Sequence, residues 1–292
     1  MKKIKNLYRI SLKQKGILFF YYLFKALKLK PTLRQLEVNE LFHHLIYSDG
    51  KLISEDENTF KVYIFNFAVL INIRKYPSSD LKVFGQVFRG HEYKSVVELY
   101  KKHFGAAPKN IIDAGANVGY TSVFFNYNFP ETTLAIIEPS DENFAMIEEN
   151  FAINDITAQL FKGGLWDKNT YLKIVRDFRD QSDWSIRVEE TNNNSGLRAF
   201  TVDHVLQNSG FDVVDIFKID IEGAEKQVFS AKDSLGFLKH TKCIALEIHD
   251  EFDCRKDIED TLEHYGFELI HAGELTLGIN KNLINFDSSE LI

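Results

Sequence analysis

The stretch KNIIDAGANVGYTS at residues 109–122 decides the fold class. Its first half, KNIIDAG at 109–115, is apolar and runs into a glycine, as a buried strand does when it ends in a tight turn. The segment YTSVFFNYNF at 120–129 then predicts a helix. A strand, a glycine-containing turn and a helix, in this order, begin a βα unit whose turn can bind a nucleotide-like ligand.

The turn itself has the spacing D-x-G-x-x-x-G, formed by Asp113, Gly115 and Gly119 with Asn117 between the glycines. The G-x-G-x-x-G pattern of dinucleotide-binding sheets is absent. Because the turn opens with an acid, it disfavours a pyrophosphate and favours a cationic ligand. S-adenosylmethionine carries an ammonium and a sulfonium and no phosphate, so we expect these four residues to bind it.

Strand and helix patterns alternate along the rest of the chain. Strands are predicted at 132–140, 156–167, 213–223 and 242–250, and helices at 141–154, 202–210 and 257–266. The segment FELIHAGELTLGIN at 267–280 predicts a terminal hairpin that turns at Ala272–Gly273. We therefore expect an α/β fold with a mainly parallel sheet, helices on both faces and a terminal antiparallel hairpin.

Three residues after the predicted strands extend the candidate cofactor site. Glu138 ends the second strand, 25 residues after Asp113, where an acid can accept hydrogen bonds from ribose hydroxyls. Trp166 and Asp167 follow the third strand, where Trp166 could stack on an adenine and Asp167 could bond its exocyclic amine. The plainer alternatives are a helix-capping role for Glu138 and a core or lid position for Trp166.

The two later strands end in IDIEG at 219–223 and LEIHD at 246–250. Asp220, Glu247 and His249 are therefore expected at one sheet edge, beside the first turn. They could steer a cation, bind a divalent metal or supply a general base for catalysis. The sequence leaves the metal requirement open, and it also allows a purely structural Asp220 and a hydrogen-bonded His249.

Three segments together resemble a known family: DAGANVGYTS, IIEPSDENFAMIEENFAIN and KIDIEGAE. They are similar to the FkbM family of S-adenosylmethionine-dependent methyltransferases, and the resemblance covers about residues 74–280. It implies a class I, Rossmann-like methyltransferase fold with S-adenosylmethionine as cofactor. It also implies O-methylation of a small-molecule or glycan acceptor, such as a sugar, a glycan precursor or a secondary metabolite. The alternatives are a non-catalytic methyltransferase-like module and a nicotinamide-dependent oxidoreductase.

Charge is distributed unevenly along the chain. Residues 1–30 contain nine basic side chains and no acid, and the other 262 residues have a net charge of −16. We expect a mostly helical extension over 1–73, with strand character at 60–74, and a catalytic domain over 74–292. The apolar run at 17–24 is too short to span a bilayer, but residues 1–30 could contact a membrane surface.

Composition sets the expected compartment and partners. The overall net charge of −7 argues against a nucleic-acid partner. Two cysteines, Cys243 and Cys254, cannot form a disulfide framework, so we expect a cytoplasmic protein. A long polar loop at 177–196 is a candidate lid over the substrate.

Overall fold

A computed structural model describes residues 2–175, 187–193 and 196–284. The loop expected at 177–196 as a substrate lid lies largely outside the described residues. The chain forms two compact units, one made of Met1–Glu92 with Glu148–Asp155 and the other of Tyr93–Ile147 with Ile156–Ile292. The domain boundary expected at residue 73 stays a prediction.

The first unit combines helices with a three-stranded antiparallel sheet of order β1-β2-β3. Its elements are α1 (Lys2–Lys5), α2 (Leu12–Ala26), α3 (Leu33–Tyr47), β1 (Gly50–Glu55), β2 (Thr59–Ile64), β3 (Val69–Arg74) and α4 (Asp80–Phe84). The hydroxyl of Thr32 accepts from Gln35 N–H, and the Gln35 side chain accepts from Thr32 N–H, so a capping box begins α3. The strands at 60–74 were expected, whereas β1 was not.

The second unit contains a seven-stranded sheet of order β13-β14-β12-β11-β4-β5-β6. Its first elements are α5 (Lys94–Phe104), β4 (Asn110–Ala114), α6 (Tyr120–Asn128), β5 (Thr133–Glu138), α7 (Asp141–Ala152, which ends in the first unit) and β6 (Ala158–Lys162). A smaller sheet of order β7-β10-β8-β9 follows, with β7 (Gly164–Leu165), β8 (Tyr171–Val175), β9 (Arg187–Thr191) and β10 (Leu197–Phe200). The chain continues with α8 (Val202–Ser209), β11 (Val214–Ile219), α9 (Glu225–Ser230), β12 (Thr241–Glu247), α10 (Arg255–His264), β13 (Phe267–Ala272) and β14 (Leu275–Asn280).

The large sheet confirms the expected fold class. Strands β4, β5, β6, β11 and β12 are parallel, and the terminal hairpin of β13 and β14 joins antiparallel to β12. Every residue of β11 is buried, and apolar residues of α8, α9 and α10 share its core. Because the parallel strands run the same way, the chain segments that follow β4, β5, β11 and β12 meet at one edge.

Two further observations bear on the expectations from composition. Cys243 and Cys254 are both free and buried. Within the described residues, no helix combines the length and the apolar character that a membrane crossing requires.

Candidate active site

The turn after β4 has three residues in the left-handed region: Gly115 at φ 72°, Asn117 at φ 52° and Gly119 at φ 80°. A Cβ placed on Gly115 would lie 1.7 Å from the carbonyl oxygen of Asp220. The glycine therefore allows the chain that leaves β11 to pass directly against the turn. This close approach brings the turn predicted to bind the cofactor next to the residues predicted to be catalytic.

A buried ion pair between Asp113 and Lys218 lies next to the turn. Asp113 accepts a hydrogen bond from Ser122 Oγ at 2.5 Å, and its other oxygen lies 3.2 Å from Lys218 Nζ. Lys218 also donates to Gly115 O at 2.6 Å. Burial alone would lower the pKa of Lys218, but the negative groups Asp113, Tyr93 and Asp220 together outweigh burial and hold this pKa above its usual range. The cation that Asp113 contacts in this structure is thus Lys218.

Glu138 connects the same turn to the end of β5. Its Oε2 accepts from Asn117 N–H and its Oε1 from Ser140 N–H, both at 2.8 Å. Burial raises the pKa of Glu138 to about 7, although these backbone donors oppose that shift. A carboxylate has about four acceptor positions, so Glu138 can still accept from a ligand's hydroxyls.

Trp166 and Asp167 lie beside the segment that follows β11. Trp166 belongs to a buried cluster that includes Ala224 and against which Ile221 packs, and its Nε1 is buried without a hydrogen-bond partner. Asp167 accepts from Gln227 Nε2 at 3.0 Å through one oxygen, while its other oxygen is buried without such a partner. These unsatisfied atoms suit a polar, ring-bearing ligand, since buried polar groups normally form hydrogen bonds.

Asp220, Glu247 and His249, expected to be catalytic, converge after β11 and β12. His249 Nε2 lies 3.3 Å from Glu222 Oε2 and 3.8 Å from Glu247 Oε1. Ligand atoms of Asp220, Glu222 and His249 all lie within 4.8 Å of one another. The structure therefore gathers the acidic edge, which we define as Asp220, Glu222, Glu247 and His249.

His249 is held on its other side by Glu225, whose Oε1 lies 3.1 Å from Nδ1. Burial lowers the pKa of His249, but the carboxylates of Glu222 and Glu225 outweigh burial and raise it to about 11. The imidazole is therefore charged at neutral pH and cannot take up a further proton. The role of His249 as a general base stays a prediction, and the carboxylates are the better proton acceptors in this state.

Sequence reasoning did not single out Lys218 or Glu225. Lys218 lies among the apolar residues at the end of the strand VDIFKI, and Glu225 lies two residues after the glycine of IDIEG. A charged residue in a fully buried strand signals a buried partner, because an unpaired buried charge is costly. The motif KIDIEGAE thus supplies structural support as well as two residues of the acidic edge, Asp220 and Glu222.

The comparisons with known proteins bear on this arrangement. A family model described as "Methyltransferase FkbM domain" matches residues 113–269, more than half of the chain. The chain belongs to the FkbM methyltransferase family. The match begins at Asp113 and includes Glu138, the Trp166–Asp167 segment and the acidic edge, so the FkbM domain contains every candidate site residue.

Individual relatives agree with this family. The methyltransferase sdnD of Sordaria araneosa is 24% identical over 220 residues, which cover 64% of this chain and 82% of sdnD. The solved METTL16 methyltransferase domain has 9% identity and a TM-score of 0.46, and the match covers 85% of this chain and 80% of that one. A methyltransferase from Pyrococcus furiosus has 11% identity and a TM-score of 0.35, with 63% and 80% covered. The parallel sheet with a terminal antiparallel hairpin, described above, is the class I methyltransferase arrangement expected from the sequence.

Proposed function

We propose that this chain is an S-adenosylmethionine-dependent O-methyltransferase that acts on a hydroxyl of a sugar, a glycan precursor or a secondary metabolite. The observation that carries the proposal is the contact between Gly115 and the Asp220 carbonyl. The turn that would bind the cofactor thus lies beside the acidic edge that would receive the acceptor. Membership of a methyltransferase family supports the reaction class.

The cofactor would lie along the turn and the strand ends beside it. The turn at 115–119 would contact it through its backbone, and Glu138 would accept from its ribose hydroxyls. Trp166 and Asp167 have the unsatisfied donor and acceptor atoms that an adenine could satisfy. When bound, S-adenosylmethionine supplies an electrophilic methyl group on a sulfonium leaving group.

The acidic edge would hold the acceptor and remove its proton. The side chains of Asp220 and Glu247 are 26% and 22% exposed, so solvent-borne molecules can reach them. A sugar hydroxyl is a weak nucleophile, and a carboxylate within hydrogen-bond reach can take its proton as the oxygen is methylated. Charged His249 would keep the neighbouring carboxylates in place.

The acceptor class can be tested by transfer of a labelled methyl group. We would incubate the full chain with S-adenosylmethionine, tritiated in the methyl group, and separate sets of saccharides, amines and thiols. The proposal expects label in a base-stable methyl ether of the saccharide or another alcohol. Label on nitrogen or sulfur alone would contradict O-methylation, and cofactor binding with no transfer to any acceptor would favour the non-catalytic module.

A matched pair of variants tests the acidic edge in the same assay. Asp220→Asn should lower the transfer rate by about 10²–10⁴-fold because the proton acceptor is lost. Its affinity for S-adenosylhomocysteine should stay close to that of the parent. The control Asp260→Asn changes an exposed carboxylate paired with Lys256 and should keep the full rate. Equal rates in both variants would show that Asp220 does not act on the acceptor.

A further inference from the structure

We propose that Asp220, Glu222 and His249 form a binding site for one divalent cation of the Mn²⁺ or Mg²⁺ class. Each residue offers one ligand atom, and these atoms all lie within 4.8 Å of one another. Two carboxylates and one imidazole suit Mn²⁺ in particular, because hard oxygen ligands favour Mg²⁺ and Mn²⁺ and imidazole favours transition metals.

The unsatisfied nitrogen of His249 points to a ligand independently of the acidic cluster. The His249 side chain is 1% exposed, and its Nε2 is buried without a hydrogen-bond partner. This nitrogen faces Glu222 Oε2 at 3.3 Å without the geometry of a hydrogen bond. On the opposite side, Nδ1 lies 3.1 Å from Glu225 Oε1. Metal-binding histidines typically use one nitrogen for the metal and bond the other to a carboxylate.

The charge balance favours a cation at the same place. Four carboxylates surround the single imidazole: Asp220, Glu222, Glu225 and Glu247. The Nζ of Lys218 lies 3.7 Å from Asp220 Oδ2 but closer to Asp113, at 3.2 Å. A cation bound at Nε2 would replace the proton on that nitrogen, and it would offset the negative charge of the carboxylates around it.

The position of this site also suggests a use. Asp220 follows β11 directly and meets the turn at Gly115, so a cation there would lie beside the expected acceptor. A bound cation lowers the pKa of a coordinated hydroxyl and orients it. This role rests on the proposed O-methylation, whereas cation binding does not.

Direct titration of the full chain with Mn²⁺, followed by electron paramagnetic resonance, tests the site without cofactor or acceptor. We expect one Mn²⁺ per chain, displaced by excess Mg²⁺. Glu222→Gln and His249→Gln should each weaken Mn²⁺ binding by at least about 10-fold. The control His271→Gln changes an exposed histidine 3.9 Å from a carboxylate of Glu259 and should bind Mn²⁺ as the parent does.

Two results would overturn the cation site: no Mn²⁺ bound by the parent chain, or parent-like binding by Glu222→Gln. Glu222 is 18% exposed, so this variant decides the question even if the variant of buried His249 fails to fold. Methyl transfer without any Mn²⁺ or Mg²⁺ bound would remove the cation's role in the reaction, while the proposed function would stand. Bound Mn²⁺ without methyl transfer to any acceptor would support the cation site and contradict the proposed function.

A second inference comes from the outer face of α2. Five exposed apolar residues form a surface that we name the apolar ridge: Leu12, Phe19, Phe20, Leu23 and Leu27, which directly follows the helix. Leu12, Phe19 and Phe20 are 83%, 63% and 51% exposed. At 3.6 residues per turn, the ridge lies opposite the helix face that carries the buried Leu18 and Tyr21. Helix α2 thus buries one apolar face and leaves a second uncovered in the described structure.

We propose that the apolar ridge docks on an anionic lipid surface. Lys13, which is exposed although it also pairs with Glu55 at 3.0 Å, lies on one side of the ridge, and half-buried Lys15 lies on the other. The first acid in the sequence is Glu37, so the residues before α3 include basic side chains and no acidic ones. An apolar face flanked by lysines is the arrangement of interfacial helices that bind anionic headgroups.

Co-sedimentation with vesicles tests this docking surface. We expect the chain to sediment with phosphatidylcholine–phosphatidylglycerol vesicles at low salt, less so at high salt, and little with phosphatidylcholine alone. Phe19→Ser/Leu23→Ser should reduce the bound fraction several-fold. The control Ile53→Ser/Phe65→Ser removes two exposed apolar side chains outside the ridge and should bind as the parent does.

Three outcomes would overturn lipid docking. They are no sedimentation at low salt, equal binding by the ridge variant and its control, and a lipid-free dimer that the ridge variant abolishes. The last would show that a second copy of the chain covers the ridge.

Discussion

Gly115 shows how one residue can serve a purpose that its motif does not reveal. A glycine after a strand predicts room for a ligand, and the turn has the expected left-handed residues. The atom nearest to the missing side chain, however, is the carbonyl oxygen of Asp220. The position of Gly115 in the sequence predicted the turn. Only the fold shows that the chain after β11 passes directly against Gly115.

Gly115→Ala should therefore lower the free energy of unfolding by about 2–5 kcal/mol. About 1–2 kcal/mol comes from the left-handed backbone and a further 1–3 from the clash with Asp220. Gly273→Ala is the matched control, because Gly273 has φ 65° and nothing within 4 Å of its ideal Cβ. It should lose only the backbone contribution, as measured by urea denaturation. Equal losses in the two variants would mean that the turn can shift to accommodate a side chain at position 115 without a further loss of stability.

Glu138 should make the free energy of unfolding fall as the pH rises, which is the opposite of the usual effect of a carboxylate. Its pKa rises from 4.5 to about 7 on folding, so the folded protein binds this proton more tightly than the unfolded chain does. The contribution of this group to the free energy of unfolding is therefore fully present below pH 4.5. It should fall by about 3 kcal/mol as the pH rises to 7 and beyond.

Urea denaturation at several pH values between 4.5 and 8 checks this prediction. Glu138→Gln should remove the fall, so the difference between parent and variant changes across this range. Glu131→Gln, at an exposed position, should follow the parent throughout. A constant difference between the parent and Glu138→Gln would show that burial does not raise this pKa.

The two ends of strand β11 carry carboxylates in different surroundings. At its beginning, Asp215 accepts from Tyr100 Oη and Lys242 Nζ at 2.8 Å each, and from the N–H groups of Lys109 and Asn110. At its other end, Asp220 belongs to the acidic edge. Because ligands bind at the carboxyl edge of parallel strands, we expect Asp215 to have a structural role and Asp220 a functional one.

Asp215→Ala should consequently destabilise the chain without weakening the cofactor site. We expect a loss of about 3–5 kcal/mol, because Lys242 and three other donors lose a buried carboxylate. Asp212→Ala, at a nearby exposed position, should change stability by less than about 0.5 kcal/mol. Thermal unfolding and calorimetry with S-adenosylhomocysteine would check both properties. Weaker binding by folded Asp215→Ala would contradict the division of tasks.

At the scale of the whole molecule, sequence periodicity predicted the large sheet and its terminal hairpin. It did not predict β1, whose GKLISE pattern includes two charged residues. It also merged β6 and the two-residue β7 into one predicted strand, because β7 is too short to show a period. The convergence of the acidic edge followed from parallel topology alone. The interior partners Lys218 and Glu225 did not, because nothing in the local sequence shows which buried groups they meet.

Calorimetric titration of the full chain with S-adenosylhomocysteine tests most directly whether the turn after β4 is a cofactor site. We predict one molecule bound per chain and no binding of NAD. Glu138→Gln should weaken binding by about 1–3 kcal/mol, because the ribose hydroxyls lose a charged acceptor. Glu268→Gln, which changes an exposed carboxylate paired with Lys281, should bind as the parent does. No binding by the folded parent, or equal affinity in Glu138→Gln, would contradict this assignment.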